Sequence, residues 1–248
     1  FAGLTNKKLG SRVQCICVAY EGMERFFPAD KIVMTGNPIR SIIVPATPEM
    51  KEAGIKEYGL DPSRKHIFIV GGSLGSARFN QCMKVWISDG CPGLDGVDVL
   101  WQCGKHYRPD IDRFMDEQRT KNPDVARHIH HSDFIGRMEL AYAAADVVIS
   151  RSGASSVSEL CAARKAVIFI PSPNVAEDHQ THNAMALVKK DAAVVVKDAE
   201  AMEKMIPTAL ELLKDPARIA RLEENAGKMA LPDAAEKIAE EVYKLIKD

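Results

Sequence analysis

The sequence predicts an α/β protein built on a doubly wound parallel sheet, and three observations carry that reading. Short, continuous apolar runs alternate with longer amphipathic stretches. Two of these runs end in glycine-containing turns that open the next helix, at Gly71-Gly72-Ser73 and at Ser150-Arg151-Ser152-Gly153. No internal repeat or low-complexity linker interrupts the alternation. Strands that are apolar on both faces need helices on both sides, which is the environment of a parallel sheet.

Taken in order, strands are expected at 13–18, 32–34, 67–70, 97–101, 147–149, 167–170 and 193–196. Helices are expected at 48–59, 76–88, 106–119, 137–145, 156–164, 179–190, 199–214, 215–229 and 233–247, where the amphipathic stretches lie. The first 35 residues hold strand signals but no glycine-rich nucleotide turn of their own.

At 248 residues the chain exceeds one typical domain but is short for two full doubly wound domains with their connections. With 46% hydrophobic residues and a net charge of −1, it has the composition of an ordinary globular protein. No basic run marks it as a nucleic-acid binder. No stretch approaches the roughly 20 apolar residues needed to cross a bilayer, and the opening FAGLTNKKLG lacks the pattern of a signal peptide. The cysteines Cys15, Cys17, Cys82, Cys91, Cys103 and Cys161 form no CxxC pair and no zinc spacing. Reduced, core-packed thiols are expected, with Cys15 and Cys17 on one face of a strand. In His128-Ile129-His130-His131 a strand would put His128 and His130 on one face, but no further ligand follows at a suitable spacing, so no metal is expected.

The stretch 149–183 is the richest in chemistry. It reads as a strand, a glycine-containing turn, a helix, a second strand and a polar loop ending in Asp178-His179-Gln180. In doubly wound sheets, ligands bind where helix N-termini point their unpaired N–H groups into the crevice at the strands' carboxyl ends. Glu159, six residues after Gly153, is suited to accept both hydroxyls of a ribose; its plain alternative is a solvated helix carboxylate. Gln180 suits sugar hydroxyls, unless Asp178 simply caps a helix with exposed polar neighbours. The segment reads as a nucleotide-sugar site.

Gly71-Gly72-Ser73-Leu74-Gly75-Ser76 follows a strand and opens a helix, so its backbone can approach a phosphate. It is neither a Walker A loop nor a dinucleotide turn, and it also fits a tight turn with Ser73 or Ser76 as N-cap. In Gly36-Asn37-Pro38-Ile39-Arg40 the proline holds Asn37 extended, and Arg40 follows in a fixed direction. Arg40 suits diphosphate oxygens, though a surface arginine after a rigid turn fits as well. Ile135, at the end of Ser132-Asp133-Phe134-Ile135, is either a strand-end core residue or an apolar face for a base.

Four of these motifs, in order, resemble the MurG family of UDP-N-acetylglucosamine transferases: G-N-P-I-R at 36–40, G-G-S-x-G at 71–75, S-R-S-G-A-x-x-V-S-E from Ser150, and D-H-Q-x-x-N-A from Asp178. Leu4-Thr5-Asn6 is a shorter fifth match. The resemblance implies a GT-B architecture of two Rossmann-like domains facing across a cleft. It places residues 1–35 at the end of the N-terminal acceptor domain with its linker, 36–232 in the donor-binding domain, and 233–248 in a helix returning toward the N-terminal domain. The chain then looks truncated, since no glycine-rich turn with a histidine precedes residue 35.

The site residues implied by the resemblance bind UDP-N-acetylglucosamine. Arg40, Ser73 and the Gly71, Gly72, Gly75 loop serve its diphosphate, Ile135 the uracil, and Glu159 the ribose. Ala154, Ser155, Ser156, Val157 and Ser158 line the same pocket largely through backbone N–H groups. Gln180, with His179 beside it, and Asn6 reach the sugar. The family reaction forms lipid II from lipid I, with its base in the N-terminal domain, no metal or other cofactor, and peripheral attachment to the cytoplasmic face of the membrane through that domain. No nucleic-acid partner is implied. Two rivals remain open on these residues: a UDP-N-acetylglucosamine 2-epimerase of the same architecture, and a non-catalytic nucleotide-sugar-binding protein.

Overall fold

The computed structural model describes residues 2–175 and 178–247 and divides into two compact units, Phe1–Ser41 with Ala230–Asp248, and Ile42–Met229. The ends of the expected terminal segments, Phe1 and Asp248, lie outside the described residues. The units are bounded at 41/42 and 229/230, a few residues from the 35/36 and 232/233 of the sequence expectation. Thr35 and Gly36 both donate their N–H groups to the Val18 carbonyl at 3.1 Å, which keeps 36–41 with the first unit.

Along the chain, the first unit holds helix α1 (Leu4–Leu9) and strands β1 (Ile16–Val18) and β2 (Ile32–Met34), which pair in parallel. Helix α2 (Pro48–Glu57) starts the second unit and leads to β3 (Lys65–Val70), α3 (Ala77–Ser88), β4 (Val97–Gln102), α4 (Arg108–Lys121), α5 (Pro123–Ala126) and β5 (Ile129–Ser132). Next come α6 (Met138–Ala144), β6 (Val147–Ser150), α7 (Ala154–Ala162), β7 (Val167–Phe169), α8 (His179–Val188) and β8 (Val194–Val195). Helices α9 (Ala201–Leu213) and α10 (Pro216–Lys228) close that unit, and α11 (Ala234–Lys247) belongs to the first. Among the described residues, no helix is long and apolar enough to cross a membrane.

The helix starts follow the local chemistry. Thr47 caps α2 by accepting from the Met50 N–H at 3.2 Å, and Asp215 caps α10 through the Arg218 N–H at 2.9 Å, each with a proline in the first turn. Helix α7 starts two residues before its expected position because the extended backbone of Gly153 serves as its N-cap. Strand β5 is absent from the expected strands: of its four residues only Ile129 is buried, so its histidines and serine give no apolar run.

The sheet of the second unit runs β5-β4-β3-β6-β7-β8, every pair parallel. This is the doubly wound order, in which the chain works outward from a central strand, returns, and works outward on the other side. Residues 67–70, 147–150 and 167–170 are all buried, as their continuous apolar character demands. On the α3 side Trp101 is fully enclosed, and its indole N–H donates to Asn80 Oδ1 at 3.0 Å. Asn80 Nδ2 in turn donates to the Cys103 carbonyl at 2.9 Å, tying α3 to the end of β4.

The first unit has a small core of Ala2, Val18, Met23 and Phe27. The expectation that Cys15 and Cys17 pack in a core does not hold. Strand β1 starts only at Ile16, Cys17 lies on its exposed face, and the half-buried Cys15 Sγ is 3.9 Å from Glu241 Oε2. Cys82, Cys91, Cys103 and Cys161 are buried free thiols, as expected.

Candidate functional site

β3 and β6 are adjacent, with Val70 opposite Ser150, and the chain leaves them toward opposite edges of the sheet. This switch point leaves a crevice between the turns that follow the two strands. A cavity of about 560 Å³ lies there, lined by Gly71, Gly72, Gly75 and Ser76 from the first turn and by Arg151, Gly153 and Ser156 from the second. Arg78, Gln81, Ser172, Asn174, Gln180 and Asp198 contribute further lining.

The 71–76 turn depends on glycine in a specific way. Gly75 has φ +77°, and a Cβ there would collide with the Cys103 carbonyl oxygen, so only glycine lets the turn lie against the end of β4. Ser76 then caps α3, accepting from the Phe79 N–H at 3.3 Å. Ser73 is exposed at the tip and is not among the cavity-lining residues. Across the cavity α7 begins at Gly153 without a side-chain cap, so its first N–H groups are available to an anion.

Arg151 holds the floor together. Its Nη1 donates to the carbonyls of Ile170 (2.9 Å) and Pro171 (3.1 Å) and to Asp198 Oδ1 (2.6 Å). Its Nη2 donates to Ser76 Oγ at 3.0 Å, and its guanidinium lies 4.6 Å from the centre of the Phe79 ring. One side chain thus joins the turns after β3, β6 and β7 to Asp198. Sequence reading assigned Arg151 no role, although an arginine at the end of a buried apolar strand signals a side chain that must find acceptors indoors. Arg78 and Asp198 were also missed, and Asp198 lies in a polar stretch that offers no such signal. Among the described residues, the charged side chains lining the cavity are Arg78, Arg151 and Asp198.

The loop after β7 fixes Gln180. Its backbone carbonyl accepts from Ser152 Oγ at 2.8 Å, and its side-chain Oε1 accepts from the Ser172 N–H at 2.9 Å. Asn183 Nδ2 donates to the Ser152 carbonyl at 3.0 Å, closing the network. With Oε1 engaged, Nε2 is the group Gln180 can offer a ligand. His179, half-buried, opens α8 beside it.

The remaining expected residues separate. Ser156 lines the cavity, Ala154 and Ser155 are exposed on the first turn of α7, Ser158 is half-buried, and Val157 is buried in the core. Glu159 is half-buried on α7 and accepts from the Tyr142 hydroxyl at 3.3 Å. Ile135 is only 2% exposed, so its side chain offers no face to a base. Its neighbour Asp133 accepts from Gln102 Nε2 at 3.2 Å through its carbonyl, which fixes the backbone leading to Ile135. Neither Glu159 nor Ile135 lines the cavity. Asn6 and Arg40 are exposed on the first unit.

The histidines at 128–131 meet carboxylates. At the start of β4, the buried Asp98 is contacted by Arg64 Nε (2.6 Å), His128 Nδ1 (2.8 Å) and His130 Nε2 (3.6 Å), and it accepts from the Asp61 N–H at 2.8 Å. Burial alone would raise the Asp98 carboxyl, but His130, the Asp61 N–H and His128 outweigh it and hold the group down at about 2. His131 Nε2 is 2.7 Å from Asp112 Oδ1.

A doubly wound parallel sheet with a glycine-lined, arginine-bearing crevice at its switch point defines a domain of the nucleotide-binding class. Within that class the chain belongs to the family described as glycosyltransferase family 28 C-terminal domain, whose model matches residues 66–238. Among its relatives is a UDP-N-acetylglucosamine–N-acetylmuramyl-(pentapeptide) pyrophosphoryl-undecaprenol N-acetylglucosamine transferase from Bacteroides thetaiotaomicron. It is 46% identical, over 99% of this chain and 64% of its own length. The protein of that name from Bacteroides fragilis is 48% identical, over 99% of this chain and 63% of its own length. The crystal structure of Acinetobacter baumannii MurG superposes with a TM-score of 0.72 at 25% identity, covering 98% of this chain and 64% of that one. The fold is that of the C-terminal domain of a GT-B glycosyltransferase. The chain spans about 64% of the length of the curated relatives it matches.

Proposed function

We propose that this chain is the donor-binding part of an inverting glycosyltransferase that moves N-acetylglucosamine from UDP to the muramyl sugar of lipid I, giving lipid II. The observation that carries the proposal is the cavity at the switch point. It combines a glycine turn, an uncapped helix start, two arginines and a fixed glutamine amide. The names of the relatives support the choice of sugar and acceptor.

In this reading the diphosphate lies against the Gly71–Gly75 turn and the start of α7, where fixed N–H groups face it before charge develops. Gln180 Nε2 donates to an N-acetylglucosamine hydroxyl, with His179 beside it. Glu159 accepts the ribose hydroxyls, and its bond to the Tyr142 hydroxyl fixes the carboxylate for that task. The buried Ile135 serves the uracil through its backbone. The assignments of Asn6, Arg40 and Ser73 rest on the motifs alone. In the full-length protein the acceptor and the membrane's cytoplasmic face are met by the N-terminal domain.

Glu159→Ala is expected to weaken UDP binding by about 1.5–3 kcal/mol, the worth of a hydrogen bond to a charged acceptor. Calorimetry on the folded variant checks this, and an unchanged dissociation constant removes Glu159 from the ribose role.

A further inference from the structure

Among the described residues, two arginines line the cavity and share one carboxylate. Asp198 is claimed from both sides: Arg151 Nη1 meets Oδ1 at 2.6 Å, while Arg78 Nε meets Oδ2 at 3.3 Å. The two arginines are anchored very differently. Arg151 is 13% exposed and spends its donors on two carbonyls, a hydroxyl and Asp198. Arg78 is 36% exposed and is held through that one contact, made by one nitrogen at the long end of the hydrogen-bond range. It projects from the first turn of α3, directly after the glycine turn, and it lines the cavity.

If Arg78 left Asp198, that carboxylate would still be neutralised by Arg151, so the move leaves no buried charge unpaired. A ligand carrying two or more negative charges offers Arg78 a better acceptor than a carboxylate already engaged by another arginine. The guanidinium suits phosphate oxygens because its planar fork supplies parallel donors.

We infer that Arg78 is a donor-binding residue that exchanges its Asp198 contact for the diphosphate of the nucleotide sugar, while Arg151 stays in place as the fixed support. The inference rests on the donor-site reading above and adds a residue to it. It also separates two arginines facing one cavity by role: one frames the turns, the other grips the ligand. Because Arg78 is partly exposed, its grip is screened by salt, whereas the enclosed Arg151 network is not.

The test is a calorimetric titration of the 248-residue chain with UDP and with UDP-N-acetylglucosamine, at low and at high salt, for wild type, Arg78→Gln and Arg78→Lys. Thermal melts establish that each variant is folded. Arg78→Gln is expected to bind both ligands about tenfold more weakly at low salt, with a shallower salt dependence, and Arg78→Lys to recover part of the loss. A folded Arg78→Gln that binds UDP within twofold of wild type overturns the inference and leaves the donor site standing. A wild-type chain that binds neither ligand overturns the donor-site reading and the inference together.

Discussion

Arg151→Met is expected to destabilise the second unit by about 3–5 kcal/mol, the scale for removing one partner of an enclosed ion pair. Methionine keeps an apolar contact with Phe79, but it abandons Asp198, the Ile170 and Pro171 carbonyls and the Ser76 hydroxyl at once. Asp198 would keep only the long contact to the partly exposed Arg78, and at 13% exposure it can recruit little water in place of Arg151. The effect extends to function, because Arg151 holds three of the turns that form the cavity. Urea unfolding of both proteins reads the loss as a lowered midpoint at unchanged slope. UDP affinity at a temperature where the variant is still folded should fall as well. A variant within about 0.5 kcal/mol of wild type would show that the floor of the cavity is held by something else.

Asp98→Asn is the second large expected loss, about 3 kcal/mol at neutral pH, because it strips Arg64, His128 and His130 of their shared carboxylate. Its pH dependence is distinctive. The folded carboxyl is held at about 2, below its ordinary value near 4. A group whose pKa is lowered by folding contributes stability that is complete above the unfolded value and is lost as pH falls through the folded one. The difference between wild type and Asp98→Asn is therefore full at neutral pH and narrows between about pH 4 and pH 2. Chemical denaturation at a series of pH values measures it. A difference that stays constant across that window would mean that Asp98 is not charged and paired as described. This cluster lies where the sequence suggested a metal reading and rejected it. His128, just before β5, and His130 within it both contact the Asp98 carboxylate of the neighbouring strand.

The sheet was legible because its central strands β3, β6 and β7 are buried and carry nearly unbroken apolar runs. Strand β5 was not, since a sheet-edge strand with one buried residue has no such run. In the site, the residues that could be read were those whose conformation their type dictates. The glycine turn is visible because few other residues fit the backbone of Gly75, and the start of α7 because a Ser/Gly turn ends a buried apolar run. Ile135 illustrates the limit: an apolar residue after a strand looks the same whether it faces a ligand or the core, and here it is buried. Arg78, Arg151 and Asp198 come from segments up to 120 positions apart, and no local pattern announces that they converge on one cavity.

The most direct measurement is a calorimetric titration of the chain with UDP-N-acetylglucosamine and UDP, with a nicotinamide dinucleotide as the control. The account requires both uridine ligands to bind saturably. It predicts that the two uridine ligands compete for one site and that the dinucleotide neither binds nor displaces them. Binding of the dinucleotide in preference to UDP, or binding of uridine ligands that Glu159→Ala and Arg78→Gln both leave unchanged, would contradict it.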